Sequence, residues 1–215
     1  PEGRGMGVRL LELDSPFLTR PQLDAIRAMD NEFPHALLSA TFVVNDDPDA
    51  LESSVENLCA QAERAVNAGN VILILSDRVT EATRAPIPML LAVSAVHHHL
   101  LRVGKRWRTS LIAEVGDARD VHQFACLIGY GAAAVNPYLA LETIADLAWQ
   151  GELSNLAVVD AFANFRRAVE AGLKKIKSKM DIAKLLSIFI TTALGFLLGS
   201  FIDKAKVEYI GNYIW

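Results

Sequence analysis

The sequence predicts an α/β fold: a partial or degenerate (β/α) barrel-like parallel sheet with flanking helices, followed by a C-terminal helical extension. Short apolar runs alternate with helix-length segments from about residue 38 to 136. The runs are continuous in their apolar residues, as expected for parallel strands that are covered on both faces. Strand, helix and strand, repeated three times, is typical of right-handed βαβ units in a doubly wound sheet or a barrel.

Four strands account for the apolar runs. Polar, Gly or Pro residues bound each run, which limits it to the length of a strand. The predicted strands are "SATFVV" ending at Val44, "NVILILSD" over 70–77, "TSLIAE" over 109–114, and "AAAVN" ending at Asn136.

Three helices are predicted between these strands. The first, over 47–69, starts with Asp and Pro, stops at Gly69 and carries one apolar stripe. The second, over 86–104, begins behind Pro88 and stops at Gly104. The third, over 117–131, is shorter. Residues 1–150 are therefore interpreted as one α/β domain.

A helical region follows, over 139–179, with a turn-rich break at "GELSN". Its second helix finishes with four lysines, which suit the negative end of a helix. These are Lys174, Lys175, Lys177 and Lys179. Residues 151–180 are interpreted as a helical link, and the basic run as a solvated helix end rather than a phosphate or nucleic-acid site.

The last segment, residues 181–215, differs in composition. Residues 185–202 run 18 residues without a charge, which is long enough for a membrane-spanning helix. Gly195 and Gly199 add a G-x-x-x-G spacing that allows close helix contact. More Lys and Arg flank the N-terminal end, so a spanning helix would leave the main body in the cytoplasm. Alternatively, the helix is buried against protein, or the tail is a junction artefact.

Composition excludes several functional classes. The net charge of −4 lacks the basic footprint of a nucleic-acid binder, so no nucleic-acid partner is expected. Cys59 and Cys126 form no C-x-x-C pair, which argues against a disulfide framework and against a cysteine-ligated zinc or iron–sulfur site. A reducing, cytoplasmic compartment is the default.

Three consecutive histidines, His97, His98 and His99, suggest a metal site at first sight. On a helix, successive residues turn about 100°, so the three side chains diverge and cannot converge on one ion as an i, i+4 pair can. His35 or His122 would have to supply further ligands. The histidines are therefore interpreted as structural or interface residues, with His98 facing solvent or another domain.

Polar residues at strand ends are the other candidates, because open α/β sheets and barrels place their sites there. Asp77, Arg78, Glu114 and Asn136 occupy these positions. A carboxylate pair such as Asp77 and Glu114 can support acid–base chemistry if one of them is desolvated, but polar residues also cap helices there.

The loop after the fourth strand reads Asn136-Pro137-Tyr138. Barrel loops at this place bind phosphate through consecutive backbone N–H groups. Pro137 has no N–H, and no glycine allows a close approach. The loop therefore predicts a barrel-like architecture that has lost its phosphate site.

Five stretches resemble, in order, the central region of the glutamate synthase large subunit, over about residues 8–180. The histidine triplet after Ala-Pro-Ile-Pro is a specific part of this resemblance. The stretches are "DSPFLT" (14–19), "LSDR" (75–78), "RAPIPMLLAVSAVHHHL" (84–100), "DVHQFACLIGYGAAAVNPYLALE" (120–142) and "AGLKKIKSKM" (171–180).

The resemblance implies a central module of an enzyme that makes glutamate from glutamine and 2-oxoglutarate. In that family an amidotransferase domain releases ammonia, and an FMN barrel with an iron–sulfur cluster performs the reductive step. The module would connect these two partner domains and help line the ammonia path. Its resemblance to a degenerate barrel without flavin agrees with the interpretation of the 136–138 loop.

The resemblance assigns no catalytic, cofactor-binding or metal-binding residue to this chain. Cys59 and Cys126 match neither the amidotransferase nucleophile nor the cluster ligands. Beyond Met180 the family pattern gives way to the apolar tail, so a truncated or fused gene product, inactive alone, is expected. Two alternatives remain open: a membrane-tethered interaction module anchored by 185–202, and a small stand-alone enzyme using Asp77, Arg78 and Glu114.

Overall fold

The computed structural model describes residues 11–79, 81–153 and 156–198, with side chains described as far as residue 180. Two compact units divide the chain, Pro1–Ala171 and Gly172–Trp215. The helices are α1 (Arg20–Ala28), α2 (Ala50–Asn67), α3 (Met89–Arg102), α4 (Val121–Gly129), α5 (Tyr138–Trp149) and α6 (Val158–Leu198). The strands are β1 (His35–Ser39), β2 (Thr41–Val43), β3 (Ile72–Ser76), β4 (Arg84–Pro86), β5 (Ser110–Glu114) and β6 (Ala134–Asn136).

The main sheet has four parallel strands in the order β1-β3-β5-β6. An extended segment continues it beyond β6, because Phe17 forms a parallel bridge with Val135. Strand order follows the chain without the reversal of a doubly wound sheet. This order confirms the barrel-like parallel sheet and favours it over the doubly wound arrangement.

Helix α1 covers one face of the sheet. Leu23 and Ile26 belong to the same buried cluster as Ile72, Ile74 and Ile112. The alternate side chains of β3 and β5 are also buried and point to the opposite face, where α3 and α4 contact β5 and β6. Both faces are therefore covered, which explains the continuous apolar runs.

The first predicted strand was misplaced. The parallel strand is β1, which ends at Ser39, whereas β2 pairs antiparallel with β4 in a separate two-stranded sheet. Ala40 separates the two strands, and its N–H donates to the Ser76 carbonyl while its carbonyl accepts from Ile87. A break in pairing at one small residue leaves no trace in the apolar pattern.

The helices α2, α3, α4 and α5 lie where they were predicted, but the predicted end of the last helix was wrong. Helix α6 continues to Leu198, so the lysine run at 174–179 lies inside it and not at its C-terminal end. The lysines therefore cannot be explained as cations at a helix terminus.

No helix among the residues searched within the described part of the chain is long and apolar enough to cross a membrane. The predicted membrane-spanning segment, residues 185–202, gains no support from this finding. It lies outside the residues whose side chains are described, and its last four residues lie outside the described backbone.

Candidate functional site at the carboxyl edge of the sheet

An ion-pair network joins the polar residues at the carboxyl ends of β3 and β5. One Glu114 oxygen accepts from Arg27 Nη2 at 3.0 Å, and the other accepts from Arg78 Nε at 3.3 Å. Arg78 Nη2 also donates to Glu142 Oε1 at 2.8 Å. Glu114 is 2% exposed, so its charge is buried but paired on both oxygens. The network ties α1, both strands and α5 together.

Asp77 lies beside this network in a different environment. Both of its oxygens are 3.0 Å from the Gly116 backbone N–H, and the Tyr138 hydroxyl also bonds to it. The Asp77 pKa is raised to about 6, chiefly by burial and also by the nearby charges of Asp117 and Glu114, against the lowering effect of the two hydrogen bonds. The Tyr138 pKa is raised as well, first by burial and then by the Asp77 charge.

Gly116 permits the close approach of Tyr138. A Cβ at this position would stand 3.0 Å from the Tyr138 hydroxyl oxygen. The guanidinium carbon of Arg78 lies 3.9 Å from the centre of the Tyr138 ring, which places a cation over the aromatic face. The tyrosine is therefore held by Asp77 through its hydroxyl and by Arg78 through its ring.

A cavity of about 430 Å³ opens next to Asp77. Its walls are mostly apolar or neutral, and exposed charged residues stand at the rim. The lining residues are Asp77, Val79, Pro86, Ile87, Pro88, Gly116, Asp117, Arg119, Tyr138 and Leu139. The volume is within the range of small-molecule sites.

The loop after β6 makes its described polar contacts with the chain itself. Asn136 Nδ2 donates to the Leu18 carbonyl at 2.8 Å, which fastens the N-terminal segment to the sheet. Its side-chain oxygen is fully buried and has no hydrogen-bond partner among the described residues. Pro137 directly precedes α5, and Tyr138 turns toward Asp77. The loss of a phosphate site here stays a prediction.

The three histidines contact three different groups, as their helical spacing predicts. His97 Nδ1 accepts from Arg106 Nε at 2.9 Å, and His99 Nε2 is 2.8 Å from Glu63 Oε2. His98 is exposed, and its Nδ1 is 2.8 Å from the Ser94 carbonyl oxygen. Burial, and then the Arg106 charge, lowers the His97 pKa.

The other predicted ligand candidates lie apart from this triplet. His35 Nδ1 is 2.9 Å from Asp30 Oδ1, and His122 Nε2 is 3.6 Å from Cys126 Sγ. Within the described residues, no group of three His, Cys, Asp or Glu side chains is placed to hold a metal ion. Cys59 and Cys126 are both free thiols, and burial raises the pKa of Cys59.

Sequence reasoning missed Arg27, which approaches Glu114 from 87 positions away. A local signal for its helix was present. Thr19 and Gln22 form a capping box at the start of α1, and Pro21 stands in the first turn. Helix α1 could therefore have been predicted from the sequence, but its position over the sheet could not.

The stand-alone enzyme hypothesis required its groups to meet beside a cleft, and they do. Arg78 contacts Glu114 directly, and Asp77 lines the neighbouring cavity. However, each Glu114 oxygen is paired with an arginine, so this carboxylate is engaged in ion pairs within the chain. Asp77, with a pKa raised to about 6, is the member of this group suited to proton exchange near neutral pH.

Comparison with known proteins identifies one family. The family model of the glutamate synthase central domain matches residues 4–194, which extends past Met180. The chain is 37% identical over 94% of its length to a ferredoxin-dependent glutamate synthase of Pyropia yezoensis, covering 14% of that protein. It is 39% identical over 98% of its length to ferredoxin-dependent glutamate synthase 2 of Synechocystis, again covering 14%. It is also 40% identical over 83% of its length to the glutamate synthase [NADPH] large chain of Azospirillum brasilense, covering 12%.

Proposed function

The chain belongs to the glutamate synthase central domain family, and we propose that it is a non-catalytic module connecting an amidotransferase domain to an FMN domain. It would serve glutamate formation from glutamine and 2-oxoglutarate and help line the ammonia path. The chain spans no more than 14% of the length of these three relatives. The activity, the FMN and iron–sulfur cofactors and the neighbouring domains therefore come to it as proposals.

The observation that carries this proposal is the ion-pair network at the carboxyl edge of the sheet. Enzymes built on parallel α/β sheets bind their ligands at this edge. In this chain, ion pairs occupy that edge beside the Asp77 cavity. They join Arg27 to Glu114, Glu114 to Arg78, and Arg78 to Glu142. Because these charged side chains pair with one another, the network supports a role in holding helices and strands together rather than in catalysis.

A connecting role is also compatible with the lining of the cavity beside Asp77. A neutral ammonia molecule passes most easily along apolar or neutral groups, because a nearby carboxylate stabilises the ammonium ion and would retain it. The cavity wall contains Val79, Ile87 and Leu139, with Asp77 as its single buried acid. We place the chain in the cytoplasm, which suits its two free cysteines.

The proposal is tested by substitution of the central domain in a relative. Residues 4–194 of this chain would replace the matching segment of the Azospirillum brasilense large chain. We expect the chimera to synthesise glutamate from glutamine. The ammonia released from glutamine should stay inside the protein, where an ammonia-trapping enzyme in solution cannot reach it. Loss of this coupling, in a chimera that retains glutaminase activity and bound FMN, would contradict the connecting role.

A second measurement uses the chain alone. We expect neither flavin absorbance after incubation with FMN nor release of ammonia from glutamine. Stoichiometric, tight FMN binding would overturn the non-catalytic assignment. The stand-alone enzyme alternative requires Asp77 to act as the acid or base, so an activity that Asp77→Asn abolishes would favour it.

A further inference from the structure

An exposed apolar and basic surface lies at the amino edge of the sheet, where α3 leads into β5. We call it the Trp107 surface, and its members are Leu101, Arg102, Val103, Trp107 and Arg108. Trp107 is 84% exposed and Leu101 is 52% exposed. A tryptophan with this exposure between two arginines is the composition of a protein-binding hot spot.

The segment that carries Trp107 is held rigidly from beneath. Arg106 donates to His97 Nδ1 at 2.9 Å, to the Gly131 carbonyl at 2.8 Å and to the Thr109 carbonyl. Lys105 Nζ donates to Glu63 Oε1 at 2.6 Å, which fastens the same turn to α2. These contacts fix the turn before any partner arrives, so little ordering entropy is lost on binding.

The indole ring is also fixed. Its N–H donates to the Gly104 carbonyl at 3.0 Å, so the ring offers its apolar faces and not its polar edge. Cavities of about 360 Å³ and 330 Å³ lie on its flanks. Leu101 lines the first, and Leu11, Leu13 and Phe33 line the second. Apolar side chains of a partner would fit these cavities.

Charge selects the kind of partner. Arg102 and Arg108 are exposed and form no ion pair with another described residue. The chain as a whole carries a net charge of −4, so this basic surface contrasts with the rest of the molecule. The complementary partner segment is acidic and exposes apolar side chains.

The chain itself presents such a segment at the opposite edge of the sheet. Val43 and Val44 are 42% and 58% exposed, and exposed Asp46, Asp47 and Asp49 follow them. None of the three aspartates forms an ion pair with a described residue. Because this loop leads from β2 into the start of α2, it lies on the carboxyl side, away from Trp107.

We propose that the Trp107 surface binds the β2–α2 loop, residues 43–49, of a second copy of this chain, head to tail. Val43 and Val44 would enter the cavities beside Trp107, and the aspartates would pair with Arg102 and Arg108. The contact is heterologous, so a dimer keeps one free Trp107 surface and one free β2–α2 loop and can add further copies. This inference does not depend on the proposed function.

The test compares two variants of the full chain by sedimentation velocity over a range of concentrations. One variant carries Trp107→Ala and Arg108→Glu, and the other carries Asp46→Arg and Asp47→Arg. We expect the wild-type chain to associate, with at least tenfold weaker association in each variant and a clear weakening by salt. All changed residues are exposed, and circular dichroism checks that both variants fold.

Mixing the variants gives the decisive result. Each keeps the surface that the other lacks, so an equimolar mixture should form a one-to-one dimer and nothing larger. Trp149→Ala is the matched control, because Trp149 is 74% exposed and lines neither cavity; it should associate like the wild type. A monomeric wild type, association that both variants retain, or a mixture that stays monomeric would overturn the proposal.

Discussion

The two edges of the parallel sheet use charge in different ways. At the carboxyl edge Glu114, with a side chain 3% exposed, is enclosed between Arg27 and Arg78. At the amino edge Glu63, with a side chain 29% exposed, pairs with His99 and Lys105 near solvent. Removal of one partner from the first network would leave a buried charge unpaired, which strongly destabilises the fold. The second network is closer to solvent, so it contributes less to stability and mainly fixes a surface turn.

The largest effect should follow from breaking the buried network. Glu114→Ala leaves two arginine side chains without their shared partner, and we expect a loss of about 3–5 kcal/mol in the free energy of unfolding. Urea unfolding followed by circular dichroism measures it. The matched control is Glu142→Ala, whose side chain is 52% exposed and whose loss should cost under about 1 kcal/mol. Equal losses would show that burial does not distinguish the two carboxylates.

The second effect concerns Asp77 and depends on pH. Because the pKa of this carboxyl is raised from 3.8 to about 6 in the folded chain, the folded state holds the proton more tightly than the unfolded state. Its contribution to stability is therefore present below pH 3.8 and is lost as the pH rises to about 6, by up to ~3 kcal/mol.

Asp77→Asn tests this pH dependence. Above pH 6 the variant should unfold at higher urea concentration than the wild type, and the advantage should vanish near pH 4. Asp146→Asn, at an exposed position of α5, provides the control and should leave the wild-type profile unchanged. A wild-type profile that is flat between pH 4 and 7 would contradict the raised pKa.

A smaller effect is expected at the amino edge from Gly131→Ala. Gly131 has φ +118°, and a Cβ there would stand 2.3 Å from His97 Nδ1. Backbone strain and displacement of His97 should together cost about 1–3 kcal/mol. Gly69→Ala isolates the strain, because Gly69 has φ +97° with no atom within 4 Å of the added Cβ. Equal unfolding midpoints for the two variants would exclude a contribution from His97.

The smallest effect should come from Lys105→Met, which removes the partly exposed pairing with Glu63. We expect the unfolding midpoint to shift by less than it does in Gly131→Ala. The shift should disappear in high salt, because the pair is close to solvent. The Glu63 pKa, lowered by its hydrogen bonds to Lys105 and His99, should rise toward its ordinary value. A stability loss as large as that of Glu114→Ala would remove the distinction between the two edges.

Local patterns in the sequence were sufficient to predict several elements of the fold. The strands β3, β5 and β6 and the helices α2 to α5 follow from continuous apolar runs and amphipathic stripes with start and stop residues. The divergence of His97, His98 and His99 also followed from helical geometry alone. The five sequence motifs were enough to identify the family, which the match over residues 4–194 confirms.

Contacts between distant segments could not be predicted from local patterns and are seen only in the folded chain. No local sequence pattern predicts that Arg27 contacts Glu114. Nor does one predict that residues 16–18 pair with β6 instead of forming a loop. The division of the first predicted strand at Ala40 likewise depends on its partners Ser76 and Ile87. Local periodicity encodes which face of an element is buried, whereas the partner that buries it is chosen by packing over the whole chain.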